Sequence, residues 1–314
     1  MATLIISATH DYSGDILFNI GTLDFVNGAG TAATATFAGK LFNNLDIKKS
    51  VAVDGSAGIN VIEVMADLFG FDASGWTFTN WTGADRLAIQ GSSAGESLTG
   101  SIRRDIIQGG GGSDIIRGKG GADIIIGGSG FDQMYGGGGQ DTLSYEGSSA
   151  GVRVDLGNRT AYGGDASGDS FKGFERLTGS SHDDELTGSS GDNRLTGGLG
   201  ADGLMGRGGA DQFVFNDVAG SRVGAGHDRI LDFSRAEGDL IRLSGIDAVQ
   251  LARSDGDDAF TYIGSGAFTA AGQLRSYVVG SQTYVEGNVD GDAAPDFQIV
   301  LTGRYTLVAG DFIL

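Results

Sequence analysis

Gly109-Gly110-Gly111-Gly112-Ser113-Asp114-Ile115-Ile116-Arg117 sets a pattern that the chain repeats on both sides. Gly127-Gly128-Ser129-Gly130-Phe131-Asp132-Gln133-Met134-Tyr135 and Gly136-Gly137-Gly138-Gly139-Gln140-Asp141-Thr142-Leu143-Ser144 keep the same order of glycines, one aspartate and one large apolar residue. Working outward, acidic residues fall at Glu96, Asp105, Asp114, Asp123, Asp132 and Asp141, each nine after the last. An apolar residue follows two places later each time, at Leu98, Ile107, Ile116, Ile125, Met134 and Leu143. The phase stops at Tyr145 and restarts at Gly179. Asp184, Asn193, Asp202 and Asp211 are again nine apart, with Leu186, Leu195, Leu204 and Phe213 in the apolar place. The ten units form two blocks, of six and four.

Glycine reaches φ > 0 at little steric cost, so Gly-Gly-x-Gly-x-Asp is a turn. The three residues after it are too few for a helical turn and suit a short strand, whose alternation sends the middle residue inward. Two units make one coil of turn, strand, turn, strand. Stacked coils predict an all-β fold, a right-handed parallel β-roll or β-helix solenoid with a thin apolar core and β-rich caps. Carboxylates 18 residues apart then lie one strand spacing from each other, about 4.8 Å. Such a ladder repels itself unless a cation lies between its rungs. Calcium takes about six to eight oxygen ligands, and glycine turns expose carbonyls without side-chain obstruction.

Composition agrees with a cation partner. The 314 residues include 58 glycines and one proline, with no collagen-like period of three. A formal net charge of -19, from 40 acidic and 21 basic side chains, makes nucleic acid and anionic membrane poor partners. There is no cysteine, so packing or bound metal must replace disulfides. Met1-Ala2-Thr3-Leu4-Ile5-Ile6 turns polar at Ser7 and has no basic n-region, unlike a Sec signal peptide. No run of about 18 apolar residues is long enough to span a membrane.

The nonapeptide Gly-Gly-x-Gly-x-Asp-x-U-x, with U a large apolar residue, resembles the repeat of the RTX family of type I secreted bacterial proteins. That resemblance implies several calcium ions. Each would be held between turns stacked 18 residues apart, by two carboxylates and four turn carbonyls. Carried onto this sequence, Asp114 and Asp132 would work with the carbonyls of Gly110, Gly112, Gly127 and Ser129. Asp123 and Asp141 would use Lys119, Gly121, Gly136 and Gly138. Asp184 and Asp202 would use Ser180, His182, Gly197 and Leu199, and Asp105 and Asp123 would use Ser101, Arg103, Gly118 and Gly120. Three departures imply weak sites or none. Glu96 opposite Asp114 is a longer acid on the glycine-poor turn Gly91-Ser92-Ser93-Ala94. The turn Gly100-Ser101-Ile102-Arg103-Arg104 adds two cations. Asn193 opposite Asp211 carries one charge fewer.

Repeat phase and resemblance together divide the chain. Residues 1–90 are expected to be a β-rich cap or a binding head. Residues 91–145 are the first block, 146–178 an inserted strand and loop, and 179–214 the second block. Residues 215–314 resemble the C-terminal module of serralysin-type proteases. The ending Gly310-Asp311-Phe312-Ile313-Leu314 resembles an uncleaved type I secretion signal, with a plain last strand as the alternative. Val152, Val154 and Leu156 alternate as in a strand. Asp165 and Asp169 read as a solvated loop or an extra cation site, and the loop Glu286 to Asp296 leaves the same choice. Ile16-Leu17-Phe18, Ala35-Thr36-Phe37 and Val61-Ile62-Glu63-Val64 read as short β runs, with Trp76, Phe78 and Trp81 as core.

No catalytic constellation stands out. His10, His182 and His227 have no His-Glu-x-x-His neighbourhood, so a zinc protease is not expected. Gly91-Ser92-Ser93-Ala94-Gly95 and Gly147-Ser148-Ser149-Ala150-Gly151 match a nucleophile elbow by composition alone, without the strand and helix it requires. Asp11, Asp15, Asp24, Asp46, Asp54, Glu63, Asp67, Asp72 and Asp85 offer no selected pair for a glycosidase. The expectation is therefore a secreted, non-enzymatic protein that folds on calcium outside the cell. It would act as an extracellular or surface binding or adhesion protein. Its partners would be calcium, the type I secretion machinery, and extracellular polysaccharide or a cell surface. A surface-layer component is the alternative, and a glycan-active enzyme in residues 1–90 a further one.

Overall fold

A nine-residue phase in which only one residue per strand points inward dictates parallel stacking, and the computed structural model has it. The structure describes residues 2–6, 10–11, 20–25, 33–38, 47–54, 59–66, 70–250 and 258–314. Ile16-Leu17-Phe18, Asp15, Asp46 and Asp67 lie outside the described residues. Strands dominate, and the helices among the described residues are three single 3-10 turns, Gly164–Ala166, Val218–Gly220 and Ala309–Asp311. The chain divides into two units. One is Met1–Ser144 with Ser167–Phe174, and the other is Tyr145–Ala166 with Glu175–Leu314. The inserted segment 146–178 is thus shared between them.

In the first unit the nonapeptide strands pair parallel at a register of 18. Leu98 stands beside Ile116 and Ile116 beside Met134. In the facing sheet Ile107 stands beside Ile125, and Ile125 beside Leu143. All six are fully buried. Two opposed columns of single side chains therefore make up the core, as a sheet with one inward residue per short strand must. Upstream, the strands Asn60–Met65 and Arg86–Gln90 continue one of these sheets in register. They are wider, burying Ile62 with Val64 and Leu87 with Ile89. Asp105 takes the register position of Leu87, so the coil narrows there from two inward residues to one. Phe71, Trp76, Phe78 and Trp81 are buried beside the wide end, with successive ring centroids 5.7, 6.4 and 5.1 Å apart.

A core one side chain deep cannot relax around a missing one. Ile125→Ala, flanked by Ile107 and Leu143, is expected to cost about 2–5 kcal/mol, as large-to-small core changes do. A lower urea midpoint of the calcium-loaded protein would show it.

In the second unit one sheet runs through Arg176–Thr178, Arg194–Thr196, Gln212–Val214, Leu240–Arg242 and Phe312–Ile313, all parallel. The other stacks Arg153–Asp155, Glu185–Thr187, Gly203–Met205, Asp228–Ile230 and Phe297–Thr302. It ends on one side in the hairpin strand Thr160–Tyr162 and on the other runs through the antiparallel strands Gln282–Asn288 and Gln273–Val279 to the edge strand Thr261–Tyr262. The ending Phe312–Ile313 is a strand, pinned by buried Asp311 paired with Arg235.

Candidate metal centre

Each turn delivers its aspartate to the mouth of a strand, and stacking at 18 residues puts the aspartates in columns. The backbone N–H of one rung donates to the Oδ1 of the next. Glu96 donates to Asp114 at 2.7 Å, Asp105 to Asp123 at 2.8 Å, Asp114 to Asp132 at 2.8 Å and Asp123 to Asp141 at 2.9 Å. In the second unit Asp184 donates to Asp202 at 2.9 Å and Asn193 to Asp211 at 2.7 Å. All ten predicted rungs are buried.

Oδ1 is thereby satisfied, and in several rungs Oδ2 is not. The Oδ2 atoms of Asp114, Asp123, Asp202 and Asp211 are buried without a hydrogen-bond partner. Leaving a buried acceptor unmade costs about 1–3 kcal/mol, and more when it is charged. Burial accordingly pushes Asp123 and Asp202 up to about 8 and Asp105 and Asp211 up to about 7. It also raises Asp114 and Asp184. Stacked carboxylates add to this, Asp105 and Asp141 acting on Asp123.

The first glycine of each turn marks what the Oδ2 atoms face. A Cβ on Gly109 would overlap both Asp114 Oδ2 and the Gly127 carbonyl oxygen. On Gly118 it would overlap Asp123 Oδ2 and the Gly136 oxygen, on Gly179 Asp184 Oδ2 and the Gly197 oxygen, and on Gly100 Asp105 Oδ2 and the Gly118 oxygen. The carbonyls of Gly110, Gly112, Lys119, Gly121, Ser180, His182 and Arg103 point along the stack. Each would overlap a Cβ on the turn above, at Gly128, Gly130, Gly137, Gly139, Gly198, Gly200 and Gly121 in that order. At Asp114 and Asp123 a carboxylate oxygen without a donor and a carbonyl without an intervening side chain thus share one small polar space, whereas the Oδ2 atoms of Asp105 and Asp184 accept the N–H of Ser101 and Ser180. That donor set, all oxygen and partly anionic, fits a hard divalent cation such as calcium. Ser129, Gly138, Gly120 and Leu199 lie on the same turns. Leu199 turns its side chain to solvent.

The columns extend beyond the nonapeptides. Asp132 donates its N–H to Asp169 Oδ1 at 2.9 Å, Asp202 to Asp228 at 2.8 Å and Asp211 to Asp239 at 2.9 Å. Asp169 is therefore a buried rung and not a solvated loop residue. Spacings of 37, 26 and 28 residues hid these three from the nine-residue phase. Each keeps the second half of the repeat, an aspartate two places before a buried apolar residue: Phe171, Ile230 and Ile241. At the wide end Asn60 likewise donates its N–H to Asp85 Oδ1, at 2.5 Å. In the loop Asp290 to Asp296, by contrast, the acids bond the loop's own N–H groups. Glu286 is taken by Arg275, Tyr277 and Gln298. Among the described residues no three His, Asp or Glu side chains gather at one point. The ladder instead works with pairs of carboxylates and main-chain oxygens.

The family described as RTX calcium-binding nonapeptide repeat (4 copies) matches residues 90–125, 117–147 and 178–213. No curated protein matches the sequence. Among solved structures, the chain is similar to a subunit of the mannuronan C5-epimerase from Azotobacter vinelandii, at 22% identity over 71% of this chain and 80% of that one, with a TM-score of 0.26. It is also similar to an extracellular lipase from Serratia marcescens, at 17% identity over 73% of this chain, spanning 40% of the lipase, with a TM-score of 0.26.

Proposed function

We propose that this chain, which carries RTX calcium-binding nonapeptide repeats in residues 90–147 and 178–213, is a calcium-folded extracellular binding protein. The observation that carries the reading is the ladder of buried carboxylates, within which the Oδ2 atoms of Asp114 and Asp123 face turn carbonyls and no donor. Calcium supplies the positive charge that this oxygen-lined space requires. The chain's own part is to hold the acids at one strand spacing, exclude water from them and keep side chains out of the turns. At cytosolic calcium, far below the affinity range of about 10⁻⁴ to 10⁻³ M of extracellular modules, the ladder stays uncompensated and the chain largely unfolded. That state suits export by a type I system, and folding then follows outside.

The partner side of the reading rests on the second unit. The outward rows Tyr162, Arg153, Glu185, Gly203 and Thr160, Asp155, Thr187, Met205 border a groove of about 220 Å³. Tyr162 is exposed, the Arg153–Glu185 and Asp155–Arg207 pairs leave no net charge, and Gly203 leaves the floor open. An aromatic face, paired hydrogen-bonding side chains and a small volume suit one sugar ring of a neutral polysaccharide.

Far-UV circular dichroism from EGTA to millimolar calcium, with magnesium as control, tests the folding half. A cooperative gain of β signal in calcium alone is expected, and native signal in chelator would refute it. Retention on polysaccharide with calcium present tests the binding half. Calcium-driven assembly into ordered arrays without retention would favour a surface-layer component instead.

A further inference from the structure

The ten turns fall into two classes that differ in bonding and in backbone conformation. In four of them, starting at Gly91, Gly100, Gly179 and Gly188, the second residue is serine. Ser101 donates its N–H to Asp105 Oδ2 at 2.5 Å and its hydroxyl to Oδ1 at 3.0 Å. Ser180 does the same to Asp184, at 2.6 and 3.0 Å. Ser189 gives both donors to Asn193 Oδ1, at 2.6 and 3.1 Å, and Ser92 gives both to Glu96. Each serine Oγ also accepts the N–H two residues on, from Ala94, Arg103, His182 or Gly191 at 3.0–3.2 Å. These turns are closed on themselves.

The other six turns have Gly110, Lys119, Gly128, Gly137, Gly198 or Arg207 in the second place, all left-handed with φ between 71° and 119°. The fourth place, Gly112, Gly121, Gly130, Gly139, Gly200 or Gly209, is left-handed too, with φ between 94° and 140°. No serine turn has a positive φ at either place. Lys119 and Arg207 accept the left-handed region without being glycine, at a cost of about 1–2 kcal/mol each, so the conformation is imposed by the turn. The buried Oδ2 atoms without donors, those of Asp114, Asp123, Asp202 and Asp211, all belong to left-handed turns.

The order is not scattered. Each run of nonapeptide turns opens on a serine turn, whose strand meets an upstream strand outside the nine-residue phase. The turn at Gly91 precedes those at Gly109 and Gly127, and that at Gly100 precedes those at Gly118 and Gly136. The turn at Gly179 precedes that at Gly197, and the turn at Gly188 precedes that at Gly206.

We propose that a calcium ion is taken only where left-handed turns form both walls of the space, and that the serine turns are metal-free end caps that close the first rung of each run of nonapeptide turns. In the first block the ions then lie at Asp114–Asp132 and Asp123–Asp141. The pairs Glu96–Asp114, Asp105–Asp123, Asp184–Asp202 and Asn193–Asp211, each with a serine turn on one side, hold none. Serine supplies through two hydrogen bonds what calcium supplies elsewhere, so each run of nonapeptide turns has an ion-independent first rung. The proposal rests on the reading of the ladder as a calcium site.

Its test is the number of ions per chain, by equilibrium dialysis against calcium and elemental analysis of the full-length folded protein. Asp105→Asn is expected to leave the number unchanged, and Asp132→Asn to lower it by at least one. Opening a cap with Ser101→Gly and Arg103→Gly together is expected to raise it by one, whereas Ser101→Ala alone adds none. Loss of an ion in D105N, or no gain in a folded S101G/R103G protein, would overturn the proposal. Calcium that leaves the circular dichroism of the parent unchanged would instead overturn the reading beneath it. Calcium-driven folding combined with an ion lost in D105N sinks only the end-cap assignment.

Discussion

Metal-stripped protein moved from pH 8 to pH 5.5 is expected to regain much of the β circular dichroism that calcium gives at pH 8. In the fold, burial pushes Asp123 and Asp202 up to about 8, and Asp105, Asp211 and Asp228 up to about 7. Exposed in the unfolded chain, the same groups titrate near 3.8. Between these limits the folded state binds more protons than the unfolded one, so folding is favoured as protons are supplied. Stability from these groups is fully present below about pH 4 and is lost as pH rises through 7 to 8. A tenfold change in proton affinity is worth about 1.4 kcal/mol. Five carboxyls displaced by several such steps can outweigh the net stability of about 5–15 kcal/mol typical of a domain. A pH of 5.5 stays above the isoelectric point near 4.3, where precipitation would confuse the signal. With calcium bound the acids are ionised and compensated, so the pH effect should disappear. Equal β signal at both pH values in stripped protein would mean that the ladder is not what limits folding.

Much of this arrangement is legible from nine-residue arithmetic. The apolar place two after each acid gave the inward columns, because a strand admits one facing per residue and a slip of one would expose Ile116 or Leu204. The acids at 18 residues gave the ladder for the same reason. What stayed hidden depended on loop length. Asp169, Asp228 and Asp239 close the columns at spacings of 37, 26 and 28 residues, because the intervening chain leaves the roll and returns. Only the short pattern of aspartate, any residue and a buried apolar residue survives the detour. The serine turns were hidden differently. Ser101 and Ser180 read as carbonyl ligands, whereas their hydroxyls bond the very carboxylates that the resemblance assigns to calcium. Spacing locates a rung, but the second turn residue decides how its acid is satisfied. Upstream of residue 90 the inward place doubles, as at Ile62 and Val64, so the nonapeptide phase could not be followed there.

Asp123→Asn is expected to reverse sign with calcium. Asp123 is the middle rung of its column. Its Oδ1 accepts the N–H of Asp105 at 2.8 Å, its own N–H donates to Asp141 Oδ1 at 2.9 Å, and its Oδ2 has no donor. Asparagine keeps the Oδ1 acceptor and replaces Oδ2 with an NH₂ group. The carbonyl of Gly136 lies across the same small space, so an acceptor facing an acceptor becomes a donor facing one. In metal-free protein the substitution removes a desolvated charge and its repulsion from Asp105 and Asp141. The variant should therefore be more β-structured than the parent in chelator at pH 8. In saturating calcium it lacks an anionic ligand, and its calcium midpoint should rise at least tenfold, about 1.4 kcal/mol. The chain already contains this chemistry at Asn193, which sits on a rung closed by Ser189. Parallel calcium titrations and urea melts of both proteins decide the matter. Crossing curves mean that the carboxylate is kept at position 123 for the cation it faces, at the expense of the metal-free fold. A variant weaker under both conditions would make Asp123 a structural hydrogen-bonding residue whose charge serves no ion.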